Sequence, residues 1–299
     1  MAEKIIYTEA PKTLPAMVLL ALFGGNLALA FGPWLVRTAD VGPSASAFWR
    51  MALAIPFLFI IARQSRQPLI LPRSALYWTI ILSGAFFAAD LAAWHIGILK
   101  TKLANATLFA NAASLFFPLW GFLIARSWPG RREGFAFALA VAGTALLLGR
   151  SAELSQQTLI GDLLCLAAGI FYTFYLIVII KARDELPSWT LLAWSTLATA
   201  PPLLLIALGL GEQIMPVNWT PVIALAVVSQ LIGQGLIVYV LGKVSPLLFG
   251  LALLTQPVIS AALGWSLYGE KLGAVDAIGA ALIAAALVMV RLAETPKGA

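Results

Sequence analysis

Charge is what this chain has least of. Asp, Glu, Lys and Arg together make up 11% of its 299 residues, against 61% hydrophobic, where soluble domains average about 25% charged. So few polar groups could not cover the outside of a soluble globule of this length, which excludes an ordinary cytosolic enzyme. Histidine occurs once, at His95, so the paired histidines of a zinc protease are impossible. The one cysteine, Cys165, excludes an internal disulfide framework and a multi-cysteine metal site. We expect neither a metal nor a cofactor. Lys/Arg-rich blocks are also missing, so the net charge of +6 does not point to nucleic acid. There is no Gly-x-Ser-Gly for an intramembrane serine protease and no paired-aspartate motif, since Asp90 is followed four residues later by Trp94. Gly242-Lys243-Val244 lacks the Ser/Thr and the upstream glycine of a phosphate-binding loop. No ring of charged residues or carbonyl-filter sequence marks a channel. A secondary transporter is the leading class, with a channel or an intramembrane enzyme behind it.

What the chain does have is long apolar runs. A membrane-spanning helix needs about 20 mostly apolar residues. Ten such segments are expected: Leu14–Val36, Ala45–Ala62, Ser74–Ile98, Leu103–Ala125, Gly134–Gly149, Leu159–Lys181, Ser188–Leu210, Pro221–Leu241, Pro246–Tyr268 and Gly273–Leu292. The connections are short and carry turn residues, among them Val41-Gly42-Pro43-Ser44 and Leu186-Pro187-Ser188. Lys and Arg divide unevenly between the two sides. Thirteen, including Lys4, Lys12, Arg63, Arg131 and Arg183, fall on one, and five, namely Arg37, Lys100, Lys102, Arg150 and Lys271, on the other. The positive-inside rule then puts both termini in the cytoplasm, as an even number of spans requires. Lys12, the apolar run and Ala28-Leu29-Ala30 imitate a signal peptide, but cleavage would spoil the alternation of charge.

The chain also repeats itself. Leu108 to Pro118 precedes Arg131-Arg132-Glu133-Gly134, as Leu247 to Pro257 precedes Gly269-Glu270-Lys271-Leu272-Gly273. Proline, acidic residue and small-residue helix recur in the same order, about half a chain apart. The expected fold is all-α, with ten transmembrane helices as two inverted five-helix repeats (5+5), N-in and C-in. Its parts are a cytoplasmic segment 1–13, the repeats 14–149 and 159–292, a loop 150–158 and a cytoplasmic tail 293–299. Five helices per half force opposite insertion, and inverted repeats place substrate at their interface near the midplane.

With those motifs in view, the chain resembles the drug/metabolite transporter superfamily, EamA-type. The stretch Pro43-Ser44-Ala45-Ser46-Ala47-Phe48-Trp49-Arg50 looks like that family's second helix. Leu108 to Pro118 looks like its fourth, Pro257 to Glu270 like the end of its ninth, and Gly161-Asp162-Leu163-Leu164 like the opening of its second half. Gly130-Arg131-Arg132-Glu133 departs from the compact Gly-Glu pair. The aromatic residues are similar to those of YddG-type amino-acid exporters. The resemblance implies a secondary transporter of the cytoplasmic (inner) membrane that exports small amphipathic metabolites, amino acids including aromatic ones foremost. Its partners would be that substrate and the bilayer, with the protein a monomer or weak homodimer.

Ionisable groups within the membrane are functional candidates by default, and here they are Arg50, Asp90 and His95. At 1.5 Å per residue, Arg50 and Asp90 lie at a similar depth, roughly 9 to 12 Å below the outer interface, so an ion pair between them is feasible. That pair is either structural or a coupling switch, and His95 either sits at the interface or joins Asp90 in a proton-coupled antiporter. The uncharged candidates for substrate binding are Asn26, Asn111, Tyr172, Tyr175, Gln230, Gln234, Tyr239 and Gln256, with Asp90 and Trp94. Gln230 and Gln234 are four apart and share a helix face. Each amide or hydroxyl could instead make an interhelical hydrogen bond, worth about 0.6 kcal/mol. Convergence on a cavity is implied by the resemblance. Pro118 and Pro257 are the expected hinges, since proline frees a backbone carbonyl.

Overall fold

The computed structural model of the protein describes residues 15–69, 74–111, 116, 130–183, 185–240, 243, 252–253 and 255–293. Among the described residues there is helix and no strand. The helices are α1 (Ala16–Thr38), α2 (Pro43–Gln64), α3 (Ser74–Ile98), α4 (Leu103–Ala110), α5 (Arg131–Leu154), α6 (Gln156–Arg183), α7 (Ser188–Gly209), α8 (Thr220–Val240), α9 (Thr255–Tyr268) and α10 (Ala274–Ala293). Six of them (α1, α2, α3, α6, α7 and α8) are long and apolar enough to cross a membrane by length and composition. The surface agrees with a lipid solvent. Leu20, Leu205, Val258 and Trp265 are each about 70% exposed, while Arg50, His95, Asp162 and Gln230 are buried. That arrangement inverts the soluble pattern.

Local chemistry sets the breaks. α1 stops at Phe31 and restarts at Gly32, with Pro33 in the first turn of the second segment. Proline has no N–H to give to the preceding turn. α5 extends beyond the expected Gly134–Gly149 at both ends, because helix propensity does not require apolarity and Arg131-Arg132-Glu133 and Arg150 to Leu154 are competent helix formers. Only Ser155 separates α5 from α6. Its hydroxyl accepts from the Thr158 N–H at 3.0 Å, capping the first turn of α6. α8 is α-helical at both ends and winds as a wider π-helix over Leu225–Gln234.

The packing pairs α2 with α7, α4 with α9, and α5 with α10. It also pairs α1 with α8 and α3 with α6, α3 with α7 and α2 with α8, and α4 with α6 and α1 with α9. Replacing every helix by the one five places along maps this set of pairs onto itself. Small residues permit the closest crossing. A Cβ on Gly143 would lie 2.7 Å from the Gly279 carbonyl oxygen, and one on Gly279 would lie 2.7 Å from Leu147. α5 and α10 therefore meet backbone to backbone, as expected for small-residue interfaces in lipid.

Both halves are stitched together at the end that carries the α1–α2, α3–α4, α7–α8 and α9–α10 connections. The Glu212 carboxylate accepts from the Ala45 N–H at 2.8 Å, and Glu270 from the Leu103 N–H at 2.9 Å, so each caps a helix of the other half. Arg37 pairs with Glu270 at 2.6 Å and Lys102 with Asp276 at 2.7 Å. The same Arg37 donates to the carbonyls of Ile98 and Thr101. Asp162 holds the Thr101 hydroxyl and, at 3.2 Å, the Asn105 amide. At the opposite end, Gln67 Oε1 accepts from the N–H groups of Trp189 and Thr190 at 2.9 and 3.1 Å and caps α7.

Gly143→Leu is expected to force α5 from α10 and destabilise the fold by about 1–3 kcal/mol, the usual cost of overpacking. The buried thiol of Cys165 provides the assay. Its reaction with a thiol-specific fluorophore on heating should begin at a lower temperature in the variant.

Candidate functional site

α2 is proline-started at Pro43 and capped by Glu212, which fixes where its inward face points. Seven residues along, Arg50 is 2% exposed. Its Nε donates to Gln230 Oε1 at 3.2 Å, and the Gln230 amide donates to the Thr196 hydroxyl at 3.1 Å. One hydrogen-bonded chain thus joins α2, α8 and α7. Gln230, Gln234 and Ser229 all belong to the π-helical turns of α8, and such widened turns recur at functional sites. Among the described residues, Arg50 Nη1 has no hydrogen-bond partner.

Asp90, on α3, is buried and is the acidic neighbour that acts on the Arg50 charge. The direct ion pair that equal depth made feasible is not formed. Among the described residues, the ion pairs are Arg37–Glu270 and Lys102–Asp276. The Arg50 guanidinium instead reaches Gln230 on α8 through Nε. Tyr172, on α6, faces the Gln234 side chain with its hydroxyl and lies within electrostatic range of both charges. Its ring stacks on Tyr175 at 5.6 Å, and Tyr175 stacks on Phe87 at 4.6 Å. Phe86 and Phe174 stack beside them at 5.3 Å. A charged and amide-lined spot therefore adjoins an aromatic wall drawn from α3 and α6.

His95 is fully buried. Its Nδ1 lies 2.8 Å from the Ser46 hydroxyl, which is also 2.7 Å from the Pro43 carbonyl oxygen. A hydroxyl has one proton. If Ser46 spends it on Pro43, His95 Nδ1 must carry a proton, and in the neutral ring Nε2 is then a lone pair; among the described residues that nitrogen has no partner.

The other expected residues gather elsewhere. The Gln256 amide donates to Asn26 Oδ1 at 2.7 Å, and Asn26 in turn donates to the Leu22 carbonyl at 2.8 Å. This is an interhelical bond between α9 and α1. Asn111 ends α4 and donates to the Leu253 carbonyl at 3.4 Å. Tyr239 lies under the Lys243 ammonium, 3.3 Å from its ring centre, and packs with α1. The Trp94 indole N–H is committed to the Ala106 carbonyl at 3.2 Å. Pro257 is the third residue of α9, and Pro118 lies outside the described residues. Further prolines stand inside helices at Pro56 in α2 and at Pro201-Pro202 in α7. Sequence reasoning also passed over Thr196, Ser46 and Ser229. Serine and threonine in a helix can satisfy themselves on their own backbone, so they carry no signal until a partner helix is placed.

Gly264 shapes the stitched end. A Cβ there would collide with the Glu270 carboxylate, so the missing side chain is what lets Glu270 fold under α9 to reach Arg37 and the α4 N-terminus.

Residues 159–292 match the EamA-like transporter family. No curated protein matches the chain. A crystal structure of a protein is similar in fold, at 19% identity and a TM-score of 0.65, over 93% of this chain and 98% of the other.

Gln230→Leu is expected to cost about 1.5–3 kcal/mol, the range for a hydrogen bond to a charged group, since it leaves Arg50 Nε buried without an acceptor. Gln256→Leu breaks a neutral interhelical bond worth about 0.6 kcal/mol on average. Thermal unfolding of the two purified variants, followed at Cys165, should show the larger shift for Gln230→Leu.

Proposed function

We propose that this chain, which carries an EamA-like transporter domain in its second half, is a secondary transporter that exports small amphipathic metabolites, foremost amino acids including aromatic ones. The observation that carries the reading is the convergence of Arg50, Asp90, Tyr172, Gln230 and Gln234 from α2, α3, α6 and α8 on one buried region beside stacked rings. Buried polar groups far from a membrane surface are costly and are kept where they serve a solute or a relay. Amides, a guanidinium and a carboxylate bind a polar head, and the Phe87, Tyr172 and Tyr175 rings offer an apolar wall.

The five-place correspondence of helix pairs supports a reading as two inverted five-helix repeats, ten spans in all, with both termini in the cytoplasm of a bacterial-type inner membrane. On that orientation the stitched end is the outer one. Alternating access then requires Arg37–Glu270 and Lys102–Asp276 to part as the halves rock. Pro56, Pro201, Pro202 and Pro257 are positions where helices can bend. Asn26, Asn111, Gln256, Trp94 and Tyr239 serve the frame around the site. The protein works as a monomer or weak homodimer.

A second reading, proton-coupled antiport, rests on one observation. Among the described residues the buried His95 Nε2 atom has no partner, and an imidazole with an open nitrogen suits a relay.

Reconstitution into liposomes with a panel of labelled amino acids is expected to show uptake of the aromatic members. Tyr172→Ala should lower that uptake at least tenfold. An imposed proton gradient that changes the rate in the wild type but not in His95→Gln supports the second reading. A rate indifferent to the gradient supports facilitated export.

A further inference from the structure

The starts of α2 and α7 are built alike, at opposite ends of the bundle. At the stitched end, Glu212 in the α7–α8 connection accepts from the Ala45 N–H at 2.8 Å. The neighbouring Gln213 carbonyl accepts from the Gly42 N–H at 3.0 Å. At the other end, Gln67 in the α2–α3 connection accepts from the Thr190 N–H at 3.1 Å. Pro187 has no N–H to match Gly42, and the Thr190 hydroxyl reaches the Pro68 carbonyl instead, at 3.2 Å. Each connection thus closes on a helix of the other half. Ala45 and Thr190, Gln67 and Glu212, and Pro68 and Gln213 are all the same number of positions apart in the chain. So are Trp49 and Trp194, and so are Leu69 and Ile214.

The correspondence breaks at one bond. The Trp49 indole N–H donates to the Ile214 carbonyl at 2.7 Å, and its ring meets Trp219 edge-on at 4.9 Å. Among the described residues, the buried Trp194 Nε1 has no partner, although Leu69 holds the place in the chain that Ile214 holds for Trp49. The Trp194 ring packs edge-on against Phe59 of α2 at 5.3 Å. An indole N–H is a donor only, and a buried one left open costs free energy. We infer that Trp49 and Trp194 form a reciprocal latch, in which the indole N–H at the closed end is bonded and the other is free. This rests on the reading above of two inverted repeats that rock against each other, and adds the residues that set the balance between the two states. In such a pair the second state resembles the first with the halves exchanged. Trp194 then closes on the Leu69 carbonyl as Trp49 leaves Ile214. One indole is satisfied in either state, so this bond traps neither. A bond made in one state alone biases the equilibrium by its own free energy and no more.

The test measures spin-label separations in the full chain in liposomes, with Cys165→Ala to remove the native thiol. Thr38→Cys with Gln213→Cys reports on the stitched end, and Gln64→Cys with Glu185→Cys on the other; all four positions are exposed. Each pair is expected to show a short and a long separation, with the short form at one end matched by the long form at the other. Trp49→Phe, which keeps a ring and loses the N–H, should lower the short-to-long ratio at the stitched end about fivefold, the ratio that a typical hydrogen bond confers. Trp194→Phe should raise it by a similar factor. A tryptophan that merely packs would not give opposed signs. Where either variant fails to fold, benzothienylalanine at the same position keeps the indole shape without the N–H and is read in the same way. Shifts of one sign, a shift in one variant alone, or no shift overturn the latch. If the two ends still show matched short and long forms, the rocking reading stands. Separations fixed at both ends in the parent and in both variants overturn the latch and that reading together.

Discussion

Every backbone N–H that a helix leaves open must find an acceptor inside the protein when the surroundings are lipid. In this chain that constraint is met by side chains borrowed from distant segments. Glu212 caps α2, Glu270 caps α4 and Gln67 caps α7. Asp40 accepts from the N–H groups of Val217 and Asn218 just before α8. Because the caps cross between halves, satisfying the helix ends and holding the halves together are one act. Three of the scarce acidic residues, Asp40, Glu212 and Glu270, are spent in this way, and Asp90 is not among them.

The site itself is built from one guanidinium, one carboxylate and neutral amides. Arg50 is stabilised through Gln230 and Thr196 rather than through a counterion in contact. An ion held by neutral dipoles keeps hydrogen-bonding capacity that a tight salt bridge would consume. The same economy appears at His95, whose Nδ1 is fixed by Ser46 while Nε2 stays open.

The helix frame itself divides into a packed part and a polar part. α5 and α10 cross at Gly143 and Gly279 with no room for a side chain, and they lie away from Arg50. The polar residues come from α2, α3, α6, α7 and α8. Asn26, Asn111 and Gln256 form a separate polar seam among α1, α4 and α9. The candidates that the resemblance gathers around one cavity thus fall into two clusters in the packing.

Sequence by itself determined the all-helical class, the positions of the six long apolar helices and the candidates Arg50, Asp90 and His95 within them. These follow from hydropathy and local turn chemistry, which act over a few residues. The end of α3 at Ile98 and of α9 at Tyr268 were legible for that reason. Only the tertiary structure decided which candidates meet. Arg50 chooses Gln230 over Asp90, Gln256 chooses Asn26, and Thr196 and Ser46 become partners at all, because each contact depends on how helices far apart in sequence are rotated and packed. The π-helical widening of α8 that presents Ser229, Gln230 and Gln234 is of the same kind. Its cost is local, but what offsets it lies on α1, α2 and α7.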